Sequence, residues 1–340
     1  MIELIQKLCA IDGVSGDEQP VAAAIIEEIK DFCTYEVSPL GDVLAFKKGE
    51  KRPRNRVLFD AHMDEVGFIV TYITDEGFLR FATVGGIDSR VIQGKPVVIG
   101  PNRVYGILSS KPIHLIERDR RDDPIKPENL LIDIGCNSRE EAQKLVSVGD
   151  RIAFDSPFVR FGDGFIKSKA LDDRAGCAVL IRMIQSPLEY DTYFSFTTRE
   201  EVGGMGAQTA VYTIKPDIAV AVETTTAADI GGVTEEKRVC FLSKGPVVSF
   251  MDKGTIYDKR LYQLALDTAA QHEIKAQPKL GVFGGNNAGS MHQAIGGVRP
   301  VGLSMPCRYL HTPSCVLKEE DITATYQLLT KLSSVYAVCD

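Results

Sequence analysis

Two histidines and a set of carboxylates, scattered through the chain in short motifs, have the types and pairing of a two-metal hydrolytic centre. They are His62 with Asp64 in AHMDEVG, Asp172 with Asp173 in KALDDRAG, Glu200 with Glu201 in TTREEVGG, Glu223 in AVETT, and His311 in YLHTP. Two imidazoles, an adjacent carboxylate pair and two further carboxylate positions are what a pair of divalent ions requires if one carboxylate bridges them.

Each motif also has a plainer explanation. A histidine at a strand end is often simply hydrogen-bonded, although Asp64, two residues on, could hold the second ring nitrogen of a metal-bound His62. Asp172 and Asp173 precede the helical pattern DRAGCAVLIRMIQ, where an acid caps a helix or favours its dipole; a bridging role for Asp172 and a bracing role for Asp173 are compatible with that. Glu200 and Glu201 could be solvated loop acids. Adjacent side chains at a buried strand end point different ways, however, so one could bind metal while the other faces water as a general base. Glu223 ends an apolar run, where an unpaired charge is costly. His311 sits before Pro313 in an irregular segment. His114, His272 and His292 lack such context, and the FGDG and GGNNAG clusters lack the spacing and lysine of a phosphate loop.

The elements that must position these residues follow from periodicity. Apolar spacing predicts two helices in the first thirty residues and a buried strand at VLFDAH with His62 at its end. From about Val66 to Phe161 the chain reads as successive β pieces (GFIVTYIT, GFLRFATVGG, KPVVIG, RVYGILSS, NLLIDIG, RIAFD), with one capped helix opened by Ser138. After Gly164 strands and helices alternate: TYFSFTT, DIAVAVE, GPVVSF, QPKLGVF and VRPVGLSM are expected as strands. The expectation is an α/β protein with a three-layer α/β/α domain formed by residues 1–66 plus 162–340, and a β-rich, barrel-like insert at 67–161. His62, Glu200 and Glu201 fall at or just after strand ends, Glu223 closes its strand and His311 follows one, so the carboxyl edge of the sheet would gather them.

Composition limits the remaining classes. The chain has 340 residues, 44% hydrophobic and 25% charged, with net charge −7. That balance argues against nucleic acid as a partner. No apolar run of about twenty residues predicts a membrane span, and the N-terminus lacks the pattern of a signal peptide. Eight dispersed cysteines without a CxxC pair fit reduced thiols, and a cytoplasmic location is expected.

The ordered series AHMDEVG, GGIDSRVIQGKPVVI, KPIHL, KALDDRAG, TTREEVGGMGA, AVETT and CRYLHTP resembles the glutamyl aminopeptidase type of metallopeptidase, family forty-two, which includes the tetrahedral and deblocking aminopeptidases. The similarity spans essentially the whole chain. It implies a metal-dependent aminopeptidase that removes N-terminal residues from short peptides, using two divalent ions, zinc or cobalt. It further implies that His62, Asp172, Glu201, Glu223 and His311 are ligands, with Asp172 bridging, that Glu200 is the general base for an ion-activated water, and that Asp64 orients His62. The insert would be a dimerisation domain, and the dimers would build a tetrahedral dodecamer. Two positions depart from the family pattern: Glu223, where Asp is usual, and Asn287, in GGNNA rather than GGTDA; the latter bears on substrate preference.

Three other readings compete. A related di-zinc deacylase or carboxypeptidase would share the H-x-D, bridging Asp and paired Glu. A silent metal-binding assembly protein would need no base. A glycosidase would need two carboxyls flanking a sugar bond and would leave the histidines without purpose.

Overall fold

The computed structural model describes residues 1–120 and 123–340. Its centre is the strand Val57–His62, buried along its whole length, which is why that segment is continuously apolar up to Asp60. It pairs in parallel with Thr192–Thr197 on one side and Ile218–Thr226 on the other. Eight strands form the sheet, in the order Thr34–Val37, Val43–Lys47, Thr192–Thr197, Val57–His62, Ile218–Thr226, Arg299–Cys307, Val247–Ser249 and Gln277–Pro278.

Helices cover both faces. On one, Ile2–Cys9, Gln19–Ile29, Leu171–Gln185 and Glu319–Val338 bury their apolar sides, with Ile5, Leu8, Ile25, Val179, Leu328 and Leu332 in the main core. On the other, Met205–Ile214 and the short helix Ala288–Met291 pack through Ala207, Val211, Ala288 and Met291. The helix Leu171–Gln185 is almost wholly buried, and its small residues Ala175, Gly176 and Ala178 let it lie close against the sheet.

A closed six-stranded barrel is inserted, ordered around its wall as Gly67–Ile73, Leu79–Val84, Ile132–Asp133, Val104–Leu108, Pro96–Ile99 and Arg151–Phe154. Phe68↔Ile152 and Ile69↔Arg151 pairing closes it. Its own core holds Phe68, Phe154, Ile99 and Leu108. Ser138 caps the helix Arg139–Gln143 as expected, accepting from the Glu141 amide while Glu141 accepts from Asn137 N–H. The short strand Val159–Phe161 pairs with Phe165–Ser168, which pairs in turn with Cys315–Lys318.

Several elements differ from expectation. The DIAVAVE strand runs on to Thr226, because Thr224–Thr226 continue the ladder against Met305–Cys307; Glu223 therefore sits inside a strand instead of closing it. QPKLGVF yields only Gln277–Pro278, since the chain turns through Gly281 and Gly284 at positive φ. NLLIDIG contributes two residues, Ile132–Asp133.

Candidate active site

Register brings the predicted residues level. Thr197 pairs with His62, and Ala221 with Asp60, so Glu223, two residues on, stands beside His62 at the carboxyl edge of the three central strands. The Glu200–Glu201 turn follows Thr192–Thr197 directly, and Asp172 and Asp173 open the central helix, joined by a cis peptide. His311 lies in the turn between Arg299–Cys307 and Cys315–Lys318, with φ +56°.

The donor atoms meet in two groups that share Asp172. His62 Nε2 is 3.6 Å from Asp172 Oδ1 and 3.5 Å from Glu223 Oε2. His311 Nε2 is 3.4 Å from Asp172 Oδ2 and 3.4 Å from Glu201 Oε2. Metal bonds of about 2.0–2.2 Å at tetrahedral angles set neighbouring donors roughly 3.3–3.6 Å apart, so these separations suit shared cations better than direct hydrogen bonds. Asp172 Oδ1 and Asp173 Oδ2 are buried with no hydrogen-bond partner among the described residues, a costly state that a cation relieves. Hard carboxylates with borderline imidazoles are the donor set of divalent transition ions. On each of these counts the residues fit a metal centre.

Asp173 is closer to this centre than a bracing role requires. It does brace the helix, its Oδ1 accepting from Gly176 N–H at 3.0 Å. Yet donor atoms of His62, Asp173 and Glu223 also lie within 4.8 Å of one another, as do those of His62, Asp172 and Glu201.

Electrostatics follow from burying acids together. Burial pushes Glu200 up to about 7, with Asp172 and Asp64 adding to it. Burial likewise raises Glu201, Glu223 and Asp173 well above the carboxylate range. Burial disfavours a charged His311, but Asp172 and Glu201 outweigh it and raise the imidazole to about 10. His62 is raised in the same way by Asp172, Asp64 and Glu223. For Asp172 burial opposes ionisation, and the two histidines overcome it, holding the carboxyl below its usual range.

His62 Nδ1 is 3.1 Å from the Asp64 carbonyl and 3.4 Å from its carboxylate. The Asp64 carboxylate accepts more closely from Ser15 Oγ–H at 2.6 Å, and from Glu200 and Glu201 N–H at 3.0 and 3.1 Å. It thus ties His62 to the glutamate turn. Asn287 does not line open space: it is 1% exposed, its amide donating to Asp60 Oδ2 at 2.7 Å and to Thr197 Oγ at 3.0 Å, while its backbone N–H meets Glu223 Oε1 at 3.2 Å. Its place is behind Glu223.

Other contributors were not singled out from sequence. His311 Nδ1 is 2.8 Å from the carbonyl of Gly86, beyond the second barrel strand, so the insert orients a catalytic-edge histidine. Glu65 takes Lys169 Nζ at 2.7 and 2.9 Å. Arg174, fully buried, donates to the carbonyls of Met63, Leu8 and Ile11 and fastens the first helix under the site. Their signal was adjacency: Glu65 follows Asp64, Lys169 and Arg174 flank the aspartate pair, and Gly86 lies in GGIDSRVIQGKPVVI.

A mixed α/β sheet carrying an imidazole and carboxylate cluster at its strand ends, with a barrel set into it, has the fold and donor set of a metallohydrolase. The profile of the M42 glutamyl aminopeptidases matches residues 41–328, and the chain belongs to that family and is a metalloaminopeptidase. A curated relative from Acetivibrio thermocellus is 38% identical over 343 residues, covering 100% of this chain and 98% of the relative. The TET aminopeptidase of the marine sediment archaeon Thaumarchaeota archaeon SCGC AB-539-E09 superposes with a TM-score of 0.93 at 34% identity, covering 97% of this chain and 95% of that one. The TET1 peptidase of Pyrococcus horikoshii, which can assemble into a tetrahedron or a large octahedral shell, gives 0.86 at 34% identity with 98% of each chain covered.

Proposed function

We propose that this aminopeptidase releases N-terminal residues from short peptides at a two-ion centre, zinc or cobalt, with His62 and Glu223 holding one ion, His311 and Glu201 the other, and Asp172 bridging. The observation that carries this reading is the carboxylate of Asp172, one oxygen facing each imidazole at 3.6 and 3.4 Å. When bound, the ions supply Lewis acidity toward the scissile carbonyl and toward water. Glu200, adjacent to a ligand but not needed as one, takes the proton of the attacking water on its carboxylate and delivers it to the departing amide nitrogen, so that one water is consumed per peptide bond. Asp64 holds His62 and both glutamate amides, which keeps base and ligands in fixed relation. The surplus of carboxylates favours a substrate with a free ammonium group.

The division at 1–66 plus 162–340 and 67–161 gives the barrel a second task, pairing subunits toward a dodecamer. Its outer wall presents Tyr105 and Ile107, 67% and 49% exposed, on the strand Val104–Leu108. Eight free cysteines favour work in the cytoplasm. The experiment is Glu200→Gln with metal content measured: kcat is expected to fall by about 10²–10⁴-fold with the ions retained. Near-normal turnover by the metal-loaded variant would contradict the assignment.

A further inference from the structure

Two buried carboxylates, Asp42 and Glu18, take no part in the chemistry described above. They are 0% and 2% exposed, and their partners are amides and hydroxyls rather than cations. Asp42, just before the strand Val43–Lys47, accepts from Thr198 N–H at 2.9 Å and Thr198 Oγ–H at 2.9 Å on one oxygen. Its other oxygen accepts from Ser38 Oγ–H at 2.7 Å and Thr209 Oγ–H at 3.1 Å. Glu18, at the start of the second helix, accepts from Gly16 N–H at 2.7 Å and Arg199 N–H at 3.2 Å.

With the two bonds to Asp64, every backbone N–H from Thr198 to Glu201 therefore ends on a buried carboxylate from elsewhere in the chain: Asp42, Glu18, then the two oxygens of Asp64. The arrangement answers two local problems. Arg199 has φ +60°, a left-handed conformation that a non-glycine residue keeps only when its surroundings impose it. The turn also carries Glu200 and Glu201 to the cluster around Asp172 and Glu223, so the direction of both side chains depends on how its backbone is held from the other side. Gly206 shows how closely Asp42 is applied, since a Cβ there would collide with Asp42 Oδ1 and with the Thr198 backbone.

We propose that Asp42 and Glu18 are positioning residues for the hydrolysis, clamping the Thr198–Glu201 backbone from three separate elements together with Asp64 so that the Glu200 carboxylate stays aimed at the reacting water. The proposal rests on Glu200 being the base. Its test compares Glu18→Ala, Glu18→Gln, Asp42→Ala, Asp42→Asn and Glu200→Gln on whichever unblocked aminoacyl anilide the wild type cleaves fastest, with metal content per chain measured on the same samples. The alanine variants are expected to lose roughly ten- to a hundredfold in kcat with KM little changed and metal content at the wild-type level. Glu18→Gln and Asp42→Asn, which keep an acceptor oxygen, are expected to recover most of that loss. Should the alanine variants fail to fold, Glu18→Asp, which withdraws the acceptor by one methylene, is expected to lower kcat at full metal content. Wild-type kcat in the alanine variants or in Glu18→Asp, or loss of kcat only in step with loss of metal, would overturn the clamp while Glu200→Gln remained inactive. Activity in metal-loaded Glu200→Gln would instead overturn the base assignment beneath it.

Discussion

Asp172 faces an imidazole with each oxygen, and around it burial raises Asp173, Glu200, Glu201 and Glu223 above their ordinary carboxylate values. His311, raised to about 10, holds its proton at neutral pH, and an imidazole must lose that proton to become a ligand. Metal binding should therefore release protons, and affinity should rise as pH rises. Titration calorimetry in buffers of different ionisation enthalpy is expected to give different apparent enthalpies and tighter binding at pH 8 than at pH 6; buffer-independent heats would contradict it. Glu223→Asp pulls the carboxylate back from both His62 and the Asn287 amide, and a metal titration is expected to show weaker binding at one site, by about tenfold or more. At this scale the candidate ligands were legible as a set, because His62, Asp172, Glu201, Glu223 and His311 all fall at or beside strand ends or a helix start. Pairing alone does not single them out, since EE pairs also occur away from the site, at Glu140–Glu141 and Glu319–Glu320. Asp60, Asn287, Glu65 and Gly86 acquire their places only through tertiary proximity, which spacing along the chain does not carry.

Three parallel strands decide where the side chains end up, because their register puts Thr197, His62 and Glu223 at one level. The central helix then delivers the aspartates, and Gly176 makes that approach possible. Replacing glycine by alanine inside a helix ordinarily gains about 1 kcal/mol, but a Cβ at Gly176 would collide with both oxygens of Asp173. Gly176→Ala is expected to lower metal affinity and shrink the thermal stabilisation that metal confers; unchanged metal affinity would remove Asp173 from the account. Gly85, at φ +82° with a Cβ site 2.8 Å from Val66 Cγ1 and 3.2 Å from Glu201 Cβ, marks a similarly tight approach from the barrel side. Long apolar runs such as VLFDAH, and the capped helix at Ser138, were readable as elements. Strands as short as Ile132–Asp133 and Gln277–Pro278 were not readable in their true extent, since there the partner strand sets the length, not the local pattern.

The sheet unit and the barrel meet at the site. The Gly86 carbonyl holds His311 from the insert, so the barrel helps to shape the candidate site as well as, in the reading above, serving assembly. No helix among the described residues is long and apolar enough to cross a membrane. The exposed Tyr105 and Ile107 alternate with inward Gly106 and Leu108, leaving apolar side chains on the outer wall with no partner within the subunit core. Tyr105→Glu with Ile107→Glu is expected to lower the particle mass in analytical ultracentrifugation while sparing cleavage of a dipeptide anilide; an unchanged mass would place the pairing surface elsewhere. The central claim is that the acidic centre is a metal-dependent aminopeptidase site, and the most direct measurement is cleavage of one short peptide, free or N-acetylated at its amino terminus, by enzyme stripped of metal and then restored with zinc or cobalt. The account predicts release of the first residue from the free peptide only, absent after stripping and regained on restoration. Equal cleavage of the acetylated peptide, or full activity in the stripped enzyme, would contradict it.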